Sequence, residues 1–406
     1  MRTVLLISPG YPAEMPFFTR GLARAGARVI GVGDQPADQL PAMARDHLAA
    51  YWQVPPFGDE GAVLAAVLQL SAQVHVDQVE SLWEPTMTLA ARIRESIGIA
   101  GMTYAQTIPF RDKEVMKRVL DAAGIRTPSH ASAATVDGVH DAVERIGYPI
   151  IVKPIAGAGS ASTYRVESAA ELEQVLPLLR HIDEVSVEEF IDAEEFTFDT
   201  ICAGGAALYE NICWYRPRPL IARSLEWVSP VTMALRDVEV EHLAGGRAMG
   251  HAVLRALSFS DGFTHMEWYR RPDGEVVFGE IGARPPGART VDVMNFTCDT
   301  DLFQRWAEAV VHGAFSEEIV RTYNAASIFK RAQGTGRIQR IEGLAPLLAE
   351  YSDDVAAIDL LPVGAPRRDW LRTLTSDGMV IVRHPELARC IEISDRFAGD
   401  LQLYAG

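Results

Sequence analysis

Asp273-Gly274 lies midway between two segments that carry apolar residues, His265–Arg271 and Glu275–Ile281, and Asp-Gly in that setting specifies a hairpin. A two-residue turn pairs Pro272 with Glu275 and, counted outwards, sets Glu267 opposite Glu280. Opposed residues share a face, with Cβ atoms roughly 4.5–5.5 Å apart. Two carboxylates at that spacing repel unless a cation sits between them. One or two Mg²⁺ ions suit the place, because hard cations take carboxylate oxygens and share the rest of their shell with substrate phosphates. The pattern also fits two solvated acids on an exposed ribbon. A bulged turn would shift the register by one and spoil the pairing.

The chain around this hairpin has 406 residues, long enough for two or three domains. A net charge of −16 argues against nucleic acid or an anionic membrane as a general partner. Cys202, Cys213, Cys298 and Cys390 show neither metal-ligand spacing nor a disulfide framework. The apolar run at Val4–Ile7 is too short for a signal peptide, and no apolar stretch is long enough to span a bilayer. The expectation is a soluble cytoplasmic protein. A homodimer is left open.

Val4–Ile7 reads as a buried parallel strand, followed by a helix at Phe17–Ala25 and strands at Arg28–Val32 and Asp77–Leu82, with a helix at Thr86–Ser96. This alternation predicts an open parallel sheet over the first hundred or so residues, with ligands beyond the carboxyl ends of its strands, where Ser8-Pro9-Gly10 and Trp83-Glu84-Pro85 fall. A helix from Asp112 to Ala123 stops at Gly124. Antiparallel turn signals then dominate, and strands at Ile338–Glu342, Val355–Pro362 and Met379–Arg383 mark the tail.

Two further segments carry polar chemistry. Tyr148-Pro149-Ile150-Ile151-Val152-Lys153 ends an apolar strand in a lysine, and Gly157-Ala158-Gly159-Ser160-Ala161-Ser162 follows closely. Small residues let backbone N–H groups approach phosphate oxygens, although glycine-rich loops are also ordinary turn chemistry. In Glu195–Ile201 the acids Glu195 and Asp199 alternate with Phe196 and Phe198, so both acids face one way and suit ribose hydroxyls or a half-solvated sheet face.

Taken in order, Arg111-Asp112-Lys113, the Lys153 strand with its small-residue loop, Glu188-Glu189-Phe190-Ile191, Glu195, the Glu267/Glu280 pair and Arg284 resemble the ATP-grasp superfamily. The resemblance covers roughly Ile108 to Val311. It implies a fold of mixed α/β and α+β type: a parallel-sheet domain at 1–107, a two-lobed ATP-grasp domain at 108–314 with a lid subdomain near 127–190, and a C-terminal lobe at 315–406. It also implies that Lys113 and Lys153 contact ATP phosphates beneath a mobile lid comprising Gly157, Gly159, Ser160, Ala161 and Ser162. Glu188, Glu189, Phe190 and Ile191 would form the interlobe segment that holds adenine, and Glu195 would take the ribose. Glu267 and Glu280 would bind Mg²⁺, two ions being the expectation, and Arg284 would stabilise the transferring phosphoryl group.

Where many relatives have asparagine two residues after the second metal glutamate, this chain has Gly282, which puts a full two-metal site in question. In the hairpin register Gly282 faces His265, whose imidazole fills that space as a catalytic group or is an ordinary structural histidine. Glu280-Ile281-Gly282-Ala283-Arg284-Pro285-Pro286-Gly287-Ala288-Arg289 resembles the L-amino-acid ligase and carnosine-synthase-like branch. There Gly287, Ala288, Arg289 and Glu84 would contact substrate, with Arg289 a candidate for bidentate capture of a carboxylate or a surface ion-pair residue. Trp214-Tyr215-Arg216-Pro217-Arg218-Pro219 is an aromatic-basic loop that covers the substrate or lies on the surface.

The function implied is an ATP-dependent ligase acting on small molecules: a carboxylate becomes an acyl phosphate and an amine displaces phosphate. Carboxylation through carboxyphosphate, with biotin or a purine intermediate as acceptor, shares every ATP residue. A nucleotide-binding regulatory protein without chemistry is the reading from another class.

Overall fold

The computed structural model describes residues 1–155, 162–373 and 375–406. Its first sheet has four parallel strands in the order Ala50–Gln53, Arg28–Gly33, Thr3–Ile7, Gln78–Ser81. Every residue of Thr3–Ile7 is buried, as a strand covered on both faces requires. The helices Met15–Arg24 and Met87–Ile97 fall within two residues of the sequence expectation.

A second sheet is antiparallel, ordered His130–Ala133, Val185–Glu189, Ile150–Pro154, Tyr164–Val166. It has its own core, built from Val139, Ala142, Ile150, Val152, Leu172 and Val187 among others. The helix Lys113–Ala122 leads towards it, with the Asp112 carboxylate accepting from the backbone N–H groups of Glu114 and Val115 at 2.9 Å each, an ordinary N-cap.

The largest sheet has nine strands. It runs Val276–Gly282, Gly262–Arg270, Glu194–Ala203, Cys213–Arg216, Val231–Ala234, Asn324–Phe329, Gly378–His384, Val355–Leu360, with Ala206–Asn211 also paired to Glu194–Ala203. Of the expected tail strands, those at Val355–Pro362 and Met379–Arg383 therefore extend the central sheet, and residues of both share one core with Phe196, Trp268 and Phe278. Only Gln333–Gly334, Ile338–Glu342 and Gln402–Ala405 form a further small sheet.

The central hairpin differs from expectation in one respect that matters. Its turn is one residue longer than Asp-Gly alone would give: the Arg271 N–H donates to the Glu275 carbonyl and Gly274 sits at φ 90°, a three-residue loop ending in a left-handed glycine. Tyr269 consequently opposes Val277 and Trp268 opposes Phe278. A bulge between Glu267 and Trp268, with Gly279 as the extra residue opposite, then restores the count, and Glu267 opposes Glu280 after all.

Candidate active site

The four-stranded antiparallel sheet and the central sheet face each other across an open cleft whose lining includes Lys113, Lys153, Glu188, Phe190, Ile191, Glu195, Arg218, His265, Glu267, Tyr269, Glu280 and Arg284. Glu267 and Glu280 project into it from adjacent strands. Lys113 Nζ is 3.2 Å from Glu280 Oε1, and the Tyr215 hydroxyl donates to Glu267 Oε1 at 3.3 Å. The two half-buried carboxylates supply oxygen ligands on one face, which fits Mg²⁺ bridging to phosphates. Among the described residues no third acid, histidine or cysteine joins them to make a larger metal cluster.

The expected pairing of His265 with Gly282 is present. His265 Nδ1 lies 2.6 Å from the fully buried Asp199, and Nε2 lies 3.7 Å from Glu267. Burial opposes a charge on this imidazole, but the hydrogen bond and charge of Asp199, helped by Glu267, outweigh it and lift the pKa to about 9. Asp199 thus serves His265 rather than a ribose, and Asn211 Nδ2 and the Thr197 hydroxyl complete its partners at 2.9 and 2.7 Å.

Glu188 occupies a different place from the base contact expected of it. Its carboxylate is clamped between Lys117 and Lys153, with Lys153 Nζ at 2.9 Å. Burial alone would raise the Glu188 pKa, yet the two ammonium groups hold it well below the usual carboxylate range. Lys153, in turn, is kept charged against its own burial by Glu188, Glu280 and Glu267. Glu189 lines the cleft as well and binds Arg126. Lys117 was missed from sequence, although its spacing of four from Lys113 on one helix places both on the same face.

Arg284 enters the cleft from the end of the central hairpin, and its Nε donates to Glu84 Oε2 at 2.7 Å. Glu84 also binds Arg111. It is therefore a buried bridge between the first sheet and the cleft and does not line the cleft, contrary to the expected substrate contact. Gly287, Ala288 and Arg289 do not line it either. Ala288 and Arg289 adopt φ 56° and 60°, the Gly287 carbonyl accepts from the Thr290 hydroxyl, and the three form the entry to the helix Thr290–Cys298. The Arg289 guanidinium is taken by Asp292 at 2.6 Å and Asp359 at 3.2 Å, so the ion-pair reading holds in place of carboxylate capture. Of the expected lid residues, Gly157, Gly159, Ser160 and Ala161 lie outside the described residues, and Ser162 begins again at φ 52°.

The model of the D-Ala–D-Ala ligase C-terminus matches residues 120–207. An L-arginine-specific L-amino acid ligase of Bacillus subtilis is 29% identical over 296 residues, 71% of this chain and 70% of that protein. The crystal structure of L-amino acid ligase from Bacillus licheniformis superposes with a TM-score of 0.80 at 21% identity, covering 100% of this chain and 99% of that one. The family model, the curated relative and the superposed structure together make this chain similar to the ATP-grasp carboxylate–amine ligases. N5-carboxyaminoimidazole ribonucleotide synthetase from Thermotoga maritima shares the fold, with a TM-score of 0.72 at 17% identity over the full length of both chains.

Each cation of the cleft meets an acid: Lys113 lies beside Glu280, Lys153 beside Glu188 and His265 beside Glu267, while Arg284 is held from behind the cleft wall by Glu84. Glu195 completes the set. Burial and the neighbouring Glu267 charge push its pKa up to about 8, against the pull of Arg218. Such an arrangement holds charges ready without leaving any of them uncompensated. No helix among the described residues is long and apolar enough to cross a membrane.

Proposed function

We propose that this chain is an ATP-grasp ligase that activates the carboxylate of an amino acid or a small natural-product acid as an acyl phosphate and joins it to an amine, giving an amide with ADP and phosphate. The observation that carries the reading is the convergence of Glu267, Glu280, Lys113, Lys153 and Arg284 on one cleft. The name of the Bacillus subtilis relative supports an amino acid as the acid.

The base would lie against Phe190 and Tyr269, an aromatic slot whose polar edge is the Ile191 carbonyl, and Glu195 would accept from the ribose. Lys113 and Lys153 would hold the phosphates. Glu267 and Glu280 would hold Mg²⁺, which neutralises phosphate charge when bound. The acid's oxygen attacks the γ-phosphorus and ADP leaves. Arg284, oriented by Glu84, stabilises charge on the phosphoryl group and then on the tetrahedral adduct formed by the amine. A side chain at 282 would meet Arg284, whose Cγ would lie 3.2 Å from its Cβ, and the His265 imidazolium, fixed by Asp199, offsets charge beside Glu267. Closing the cleft keeps water from the acyl phosphate.

The test is phosphate release from Mg·ATP with amino acids and small acids, singly and in pairs, using Glu280→Gln as the blank. Release that needs both an acid and an amine, and is lost in the variant, supports the ligase. Release that answers only to bicarbonate replaces it with carboxylation through carboxyphosphate.

A further inference from the structure

Arg218 is a cation in the cleft to which the reaction above gives no role. It follows the strand Cys213–Arg216 and precedes the short helix Pro219–Ser224, and its side chain is 12% exposed. Its Nη1 donates to the Ile191 carbonyl at 2.6 Å and its Nε donates to Glu195 Oε2 at 3.2 Å. The guanidinium carbon lies 5.1 Å from the centroid of the Phe190 ring and 5.2 Å from that of Tyr269. Arg165 also covers Phe190, at 4.1 Å.

These partners of Arg218 are the groups that a nucleotide would need. A guanidinium and a purine are both flat, both stack on aromatic faces, and both donate in-plane N–H groups to a carbonyl oxygen. One carbonyl, one carboxylate and one aromatic slot cannot serve both at once. We propose that Arg218 is a built-in competitor for the nucleotide: its guanidinium fills the base seat of the empty protein, pairing Ile191 and Glu195, and is displaced when ATP enters. This rests on the base seat proposed above.

The arrangement has a physical rationale. An empty slot would leave both the Glu195 carboxyl and the Ile191 carbonyl without the donor they now have, a cost where water is largely excluded. Arg218 satisfies both until the nucleotide does. The apparent affinity for ATP is then the intrinsic affinity reduced by the fraction of molecules whose seat is open. Charge balance favours the same exchange, because Lys153 and Lys113 remain to meet the phosphates after Arg218 has swung aside.

The experiment is calorimetric titration of Mg·ATP, without acid or amine, into the wild-type chain and into Arg218→Ala, Arg218→Lys and Lys153→Met. Removing one hydrogen bond and two cation–π contacts that compete with the base should tighten ATP binding about tenfold in Arg218→Ala. Arg218→Lys, which keeps the charge beside Glu195 but cannot stack as a plane, should gain less. Added ethylguanidinium should weaken ATP binding to Arg218→Ala back towards the wild-type value. Equal or weaker ATP binding in both Arg218 variants overturns the proposal and makes Arg218 a nucleotide ligand. ATP binding that is indifferent to Lys153→Met removes the proposed nucleotide site from this cleft, and the inference falls with it.

Discussion

Glu267 faces Glu280 across the central hairpin because Gly279 is an extra residue between them and the turn. A Cβ built on Gly279 would lie 2.8 Å from the Glu267 carbonyl oxygen, too close for any side chain. Gly279→Val should therefore push the strands apart at the bulge and misplace both carboxylates. The expected outcome is a loss of roughly 100-fold or more in kcat/KM, since small misplacements of catalytic groups carry costs of that order. Steady-state kinetics at saturating Mg²⁺, compared with the melting temperature of the same variant, checks it. Full activity in a folded Gly279→Val protein would show that the pair needs no such register.

Glu84 holds Arg284 and Arg111 together from the far side of the cleft wall. Glu84→Gln should leave the two guanidinium groups without their shared counter-charge and let Arg284 drift. We expect kcat/KM for the acid to fall about 10–100-fold, in line with the loss of a supporting partner, while the KM for ATP stays close to wild type. An equal effect on both constants would place Glu84 in a general structural role.

The Lys117–Glu188 pair is almost completely buried, with side-chain exposures of 1% and 5%. Removing one member of such a pair strands the other charge, and about 3–5 kcal/mol of stability is the expected loss for Glu188→Gln. The double variant Lys117→Met/Glu188→Gln should recover part of that loss, because the stranded ammonium is gone. Urea denaturation of the four proteins closes the cycle, and strictly additive effects would rule out the coupling.

His130 offers Nδ1 to Glu114 at 2.8 Å and Nε2 to Asp121 at 3.0 Å, tying the second sheet to the helix Lys113–Ala122. The hydrogen bond to Glu114 raises its pKa, burial opposes, and Asp121 adds to the rise. A histidine that binds its proton more tightly when folded stabilises the protein fully below its unfolded pKa of about 6.5, and the contribution is lost as pH rises through the raised folded value. The stability advantage of wild type over His130→Gln should therefore shrink as pH climbs above that point. A constant or growing difference would contradict the assignment.

Much of this was legible in the sequence because it is local. The buried strand Thr3–Ile7, the capped helix after Asp112, the lysine ending the strand Ile150–Pro154 and the hairpin itself follow from short-range pattern and turn chemistry. The Glu267–Glu280 pairing was reached by counting through a two-residue turn that the protein does not make. A longer turn and a bulge offset one another, and no periodicity records either.

What the sequence determined by itself was which strands and helices form and which acids and bases could share a face, since periods of two and 3.6 residues fix those within one element. Only the tertiary structure decided which charge meets which. Glu84 reaches Arg284 across 200 residues, Glu188 takes Lys117 and Lys153 instead of a base, and Arg218 settles on Ile191 and Glu195. Those choices depend on how separately formed sheets pack, and the cost of burying an unpaired charge selects among the partners that packing brings within reach.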